Sequence, residues 1–193
     1  MVLLALAVSA CTGPSMGSQP SGLAPTSVPA RPSSTSSTVT PSASTSSPAA
    51  ATRPAIPAAA RAHTAAGAEA FARFYFSELN RAWTIPDPFA LSGLSSPTCK
   101  TCTNFALTAR SLQKDGFRYD GPPVSVGDSI LLPESNKNRV ALQFINVQEA
   151  RSIVNSQGRV IEKLPRRSSL SQLEMIWSAQ GWHVDRFRAV VPS

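Results

Sequence analysis

Between Thr12 and Ala62 the chain contains no Asp or Glu and consists almost wholly of Ser, Thr, Pro, Ala and Gly, with 9 of its 17 prolines. Such a stretch lacks the apolar bulk needed to offset the entropy of ordering it, so it predicts a disordered, partly polyproline-like tether rather than a domain. A flexible chain of that length has a root-mean-square span of roughly 40 Å, and its prolines extend it further. What remains, His63 to Ser193, is about 130 residues, enough for one hydrophobic core.

Ahead of the tether, Val2 to Val8 form an apolar run too short to span a bilayer and of the right size for the core of a signal peptide. The run ends in Val8-Ser9-Ala10-Cys11, which resembles the lipobox of bacterial lipoproteins. Small side chains at Ser9 and Ala10 leave the backbone open to a peptidase, and the Cys11 thiol is nucleophilic enough to accept a glyceryl group. Two acyl chains would then hold the chain stably on a membrane. The expected organisation is a signal peptide at 1–10, a lipidated Cys11 with its linker at 11–62, and a folded domain at 63–193. No Lys or Arg precedes the apolar run, whereas export signals carry a basic leading segment, so a start codon upstream of Met1 is expected. The Ser/Thr/Pro clusters fit either a glycosylated stalk or a bare linker.

Within the domain the hydrophobic period is helical first and strand-like later. Phe71, Tyr75 and Leu79 recur every four residues between Ala65 and Trp83, with Glu69 expected in the first turn where it favours the dipole, predicting an amphipathic helix that Pro86 and Pro88 stop. Asp87 to Leu94 reads as a short helix or turn carrying Phe89, Leu91 and Leu94 toward the core. Ser96-Pro97 suits a helix start, with Cys99, Cys102, Phe105, Ala109 and Leu112 on one stripe and Gly116 as its stop. Alternation then takes over at Val124 and Val126, at Val140, Leu142 and Phe144, and at Leu173, Met175 and Trp177. A Gln180-Gly181 hairpin leads into a last strand from Trp182 toward Val191. Helices followed by strands imply an α+β domain: about three N-terminal helices packed in a curved antiparallel sheet of four to six strands.

The stretches Ala70-Phe71 through Leu79-Asn80-Arg81-Ala82, Leu94-Ser95, Pro97-Thr98-Cys99-Lys100-Thr101-Cys102, Gly121 to Gly127 and the Gly181-Trp182 hairpin resemble actinobacterial lipoproteins carrying domain of unknown function 6318. The resemblance covers most of Thr64 to Val191. It implies the cone of nuclear-transport-factor-2-like, or SnoaL-like, domains, a fold that hosts isomerases, dehydratases and many non-catalytic modules. The Ile85-Pro86-Asp87-Pro88 turn and the Pro165-Arg166-Arg167 loop depart from the family pattern.

With Cys11 committed to lipid, Cys99 and Cys102 are the remaining pair in an oxidising exported compartment, where a disulfide is the default state. Spacing of three on a helix brings the two within bridging distance, as a structural staple or as a redox pair. Acid/base candidates are Asp87, Asp120, Asp128, His183 and Asp185, of which only His183 and Asp185 share a strand face by spacing. No His/Cys cluster has zinc spacing, and no phosphate loop or nucleophile elbow is present, so neither a metal nor another cofactor is expected. The net charge of +7 falls to +4 from His63 onward, 15 Lys+Arg against 11 Asp+Glu, with no basic stripe interleaved with aromatics, which argues against nucleic acid.

The aromatics Phe71, Tyr75, Phe105 and Trp177, together with Phe74, Phe76, Trp83 and Trp182, are candidates to line an apolar pocket between helices and sheet. The function expected is that of an extracytoplasmic lipoprotein, anchored on the outer face of the cell membrane. Its domain would bind an envelope protein, a wall polymer or a small apolar ligand without catalysis. The enzymatic alternatives are a SnoaL-like isomerase or dehydratase and a thiol-disulfide oxidoreductase acting through Cys99 and Cys102.

Overall fold

The computed structural model describes residues 55–190. The expected signal peptide, Cys11, most of the linker and the chain end beyond Val190 lie outside the described residues.

Helix α1, Ala65–Thr84, is capped by Thr64, whose hydroxyl accepts from Gly67 N–H at 3.0 Å. Its stripe is Phe71, Tyr75 and Leu79, all fully buried. Glu69 falls just past the first turn, which contains no acidic residue. Gly67 is required by a close approach: a Cβ there would meet Ala62 O, because the preceding chain folds back over the helix start. That chain is ordered earlier than the compositional boundary at His63 indicates. A 3-10 turn at Ala59–Arg61 buries Ala60, and Ile56 packs against the core. Composition failed here because an Ala-rich segment can fold when a neighbouring surface covers it.

Two further expectations need correction. Residues 88–94 form successive turns rather than a third helix. Asp87 accepts from Phe89 N–H at 2.9 Å, and bonds of the i to i+3 type follow along the segment, leaving Phe89 60% exposed while Leu91 and Leu94 are buried. Helix α2 spans Lys100–Asp115 and does not begin at Pro97. Ser96 N–H donates to Val184 O at 2.7 Å and Val184 N–H to Leu94 O at 2.9 Å, so the Leu94–Ser96 backbone extends a strand edge and cannot coil. Cys99 is the N-cap instead, its Sγ accepting from Cys102 N–H. Gly116 closes the helix in the left-handed region (φ 67°).

Seven strands follow, more than the four to six expected: β1 Phe117–Tyr119, β2 Val124–Leu131, β3 Arg139–Gln148, β4 Arg151–Asn155, β5 Val160–Leu164, β6 Arg167–Ser178 and β7 Gly181–Ala189. They form two antiparallel sheets, ordered β2-β3-β6-β7 and β1-β4-β5. Bulges interrupt the register in β2 between Val126 and Ser129 and opposite Glu174/Met175 in the β6–β7 pair, and such irregularities bend a sheet. The face carrying Val140, Leu142, Phe144, Leu173, Met175 and Val184 forms the core with α1, while α2 packs on β7 and β1.

Candidate functional site

The α1 residues Phe76, Leu79 and Trp83, at helical spacing, wall one side of a cavity of about 150 Å³. Phe105 of α2, Tyr119 of β1 and Phe187 of β7 supply the other aromatic faces. The Trp83 ring stacks on Tyr119 (centroids 5.5 Å apart, planes 19° apart) and meets Phe105 edge to face. Its indole N–H donates to Phe105 O at 3.0 Å, so one hydrogen bond fixes the ring and joins α1 to α2.

The polar side of the cavity comes from β3. Val140, Leu142 and Phe144 face inward, and the same alternation carries Asn146 and Gln148 inward after them. Asn146 Oδ1 is buried and has no hydrogen-bond partner. An unpaired buried amide oxygen costs free energy. Val124, opposite Gln148 on β2, is held by Asn80 of α1, whose amide donates to Val124 O (2.7 Å) and accepts from Val124 N–H (2.9 Å). The Tyr119 phenol is pushed above its usual pKa by desolvation and, secondarily, by the charge of Glu162. No residue lining the cavity carries a formal charge at neutral pH.

Of the residues singled out from sequence, Phe105 lines this cavity, and so do Phe76 and Trp83. Phe71 and Tyr75 sit in the solid core. The Tyr75 phenol is fully buried without a partner, and desolvation drives its pKa far up. Trp177 stacks on His63 at 4.1 Å and lies edge to face with Trp182, on the hairpin side of the domain. Sequence reasoning passed over Tyr119, Asn146, Gln148 and Phe187. The signal for Asn146 was present: a polar residue continuing an inward-facing apolar alternation.

Cys99 and Cys102 are bonded, with Cα atoms 5.2 Å apart, and each is only 2% exposed. The acid/base candidates do not assemble at the cavity. Asp87 is occupied by Arg81 and by Phe89 N–H, and Asp120 accepts from Ser152 N–H. Asp128 is exposed at the β2 bulge. His183 lines an open surface groove with Ser96 and Gly181, and Asp185, bulged out of the pairing with β6, lies with it on the partly exposed side of β7, away from the core face of Trp182 and Val184. Among the described residues no cluster of three His, Cys, Asp or Glu is placed to hold a metal ion. No described helix is long and apolar enough to cross a membrane.

Fold and cavity together define the class: an α+β domain in which helices cover one face of a four-stranded antiparallel sheet and leave an aromatic cleft beneath them. The sequence pattern of DUF6318, a family of unknown function, matches residues 39–188, and the chain belongs to that family. No curated protein sequence matches it. Among solved structures it is similar to the intermembrane-space region of the chloroplast protein ARC6, with 14% identity and a TM-score of 0.48 over 67% of this chain and 98% of that one. It is also similar to Aln2 from a Streptomyces species, at 8% identity and TM-score 0.42 over 63% of this chain and 88% of that one. A third is an NTF2-like protein with a cystatin-like fold from Novosphingobium aromaticivorans, at 15% identity and TM-score 0.39 over 62% and 78% respectively.

Proposed function

We propose that this protein is an envelope lipoprotein, anchored through Cys11 to the outer face of the cell membrane, whose domain binds a small apolar ligand without transforming it. The observation carrying the binding reading is the cavity itself: aromatic walls, two amides and no charged group. Ligand sites are typically concave, largely apolar and furnished with a few convergent polar atoms. Anchoring is supported by the Val2 to Val8 run, the Val8-Ser9-Ala10-Cys11 motif and the Pro-rich stretch after it.

An isomerase or dehydratase needs an acid or base within reach of the substrate, and no carboxylate or imidazole lines the cavity. An oxidoreductase needs an accessible sulfur, whereas both cysteines are buried. The test is native and intact-mass spectrometry of the full chain purified from its own membranes. A diacylglyceryl mass on Cys11, lost in Cys11→Ser, and a small adduct released on unfolding are expected. A protein of unmodified mass without adduct would overturn both halves of the proposal.

A further inference from the structure

The domain's net charge is confined to one part of it. From His63 onward the chain carries +4, and residues 100–120 and 151–164, which hold α2, β1 and the β4–β5 hairpin, account for all of it. Lys100, Arg110 and Lys114 lie on α2, Arg118 on β1, and Arg151, Arg159 and Lys163 on the hairpin, against Asp115, Asp120 and Glu162. Elsewhere from His63 onward Lys+Arg and Asp+Glu balance at eight each. Every ion pair among the described residues falls in that balanced part, where Arg81, Arg139, Arg166, Arg186 and Arg188 hold Glu78, Asp87, Glu149 and Glu174. The seven cations of α2, β1 and the hairpin form no ion pair among the described residues, and all but Arg151 are exposed.

Large apolar side chains are exposed on the same elements: Leu107 at 49%, Val160 at 47% and Ile161 at 45%. Lys100, Leu107 and Lys114 recur at two-turn spacing along α2 and so share one side of it, with Arg110 a turn from Leu107. Leu107 from α2 and Ile161 from β5 both line an open groove of about 480 Å³, together with Leu112, Phe117 and Ile153. We propose that this face docks on an anionic lipid surface, with Lys100, Arg110 and Lys114 at the headgroups and Leu107 and Ile161 entering the boundary with the acyl chains. Cations are drawn to anionic lipid while aliphatic side chains beside them leave water, the combination that holds a helix in a membrane interface. A soluble polyanion would match the charge and leave Leu107, Val160 and Ile161 in water. The docking rests on the membrane location proposed above, and the aromatic cavity plays no part in it. Docked this way, the domain lies against the leaflet instead of standing off at the span of its tether.

The experiment places the full chain in vesicles of phosphatidylcholine, or of phosphatidylcholine and phosphatidylglycerol in equal parts, with Leu107→Trp as the reporter. Flotation with the vesicles reads the anchor. Quenching at position 107 by bromine-labelled acyl chains, beyond that of the chain's own three tryptophans, reads the face. Quenching is expected in the anionic vesicles, falling at high salt, and is expected to be absent in the neutral ones. Lys114→Gln should lower the ratio of docked to undocked domain about 5-fold, the effect of one cation near an anionic surface. A chain that floats with the anionic vesicles but leaves position 107 unquenched overturns the docking and leaves the anchor intact. Equal quenching in neutral and anionic vesicles also overturns it, since charge would then play no part. Binding of soluble polyphosphate that Lys114→Gln weakens, with position 107 unquenched, gives the face to a polyanion and overturns the lipid assignment. A chain that floats with neither vesicle overturns anchor and docking together. Ile161→Trp is the second reporter if Leu107→Trp does not fold.

Discussion

Asn80 holds Val124 by both backbone groups, donating to its carbonyl and accepting from its N–H across 44 residues of sequence. Pro123 O is used by Glu149 N–H on the β3 side, so Asn80 serves the edge of β2 that no strand among the described residues pairs. Asn80→Ala leaves a donor and an acceptor at that edge without their partner. Urea unfolding should show a loss of about 2–3 kcal/mol, and a loss under about 0.5 kcal/mol would show the clamp to be dispensable.

The chain contains two tyrosines, Tyr75 and Tyr119, and burial raises both. The unfolded chain ionises its phenols near pH 10, before the folded one does. Stability is therefore insensitive to these groups below pH 10 and falls as the pH rises beyond it toward the folded-state values. Absorbance at 295 nm should show less tyrosinate at pH 10 in the folded chain than in the unfolded one, and should rise together with alkaline unfolding. Tyr75→Phe removes an unpaired buried hydroxyl and should raise stability at neutral pH by about 1 kcal/mol.

The Cys99–Cys102 bond should resist reduction in the folded chain because both sulfurs are buried. Alkylation after treatment with dithiothreitol should reach the cysteines only when urea is present. Rapid labelling without urea would restore the case for exchange chemistry. Replacing both by Ala should cost about 1–2 kcal/mol, less than the roughly 3 kcal/mol of a 15-residue loop, since the bridge closes so few residues.

Trp182 Nε1–H donates to Ala62 O at 2.9 Å, and His63 stacks on Trp177. Trp182→Phe keeps an aromatic ring, though a smaller one, and loses the bond. Hydrogen exchange in residues 55–64 should accelerate while α1 and β3 remain protected. Unchanged exchange there would mean that Ile56 and Ala60 hold the segment without help.

How far the sequence disclosed this arrangement depended on how local each cause was. The α1 stripe, the alternation of β2, β3 and β6 and the Gly116 stop are encoded by periodicity or by one residue's conformational freedom, and they were legible. The start of α2 was not, because Ser96 is drawn into an extended edge by Val184, 88 positions on. Strands β1, β4 and β5 were missed because they are short, with little alternation to read, and β5 is mostly exposed besides. The cavity was half visible: Phe76, Trp83 and Phe105 stood out as aromatics. Asn146 required the β3 pattern to be followed two residues beyond its last apolar member.

The joint at Ala62 and His63 has a mechanical meaning. A pull applied to the chain at Ala55 is not borne by α1 alone. It passes first into the 3-10 turn and then, through Trp182 and Trp177, into the closed end of the β6–β7 hairpin. Tension is thereby shared between α1 and two paired strands at the root of the domain.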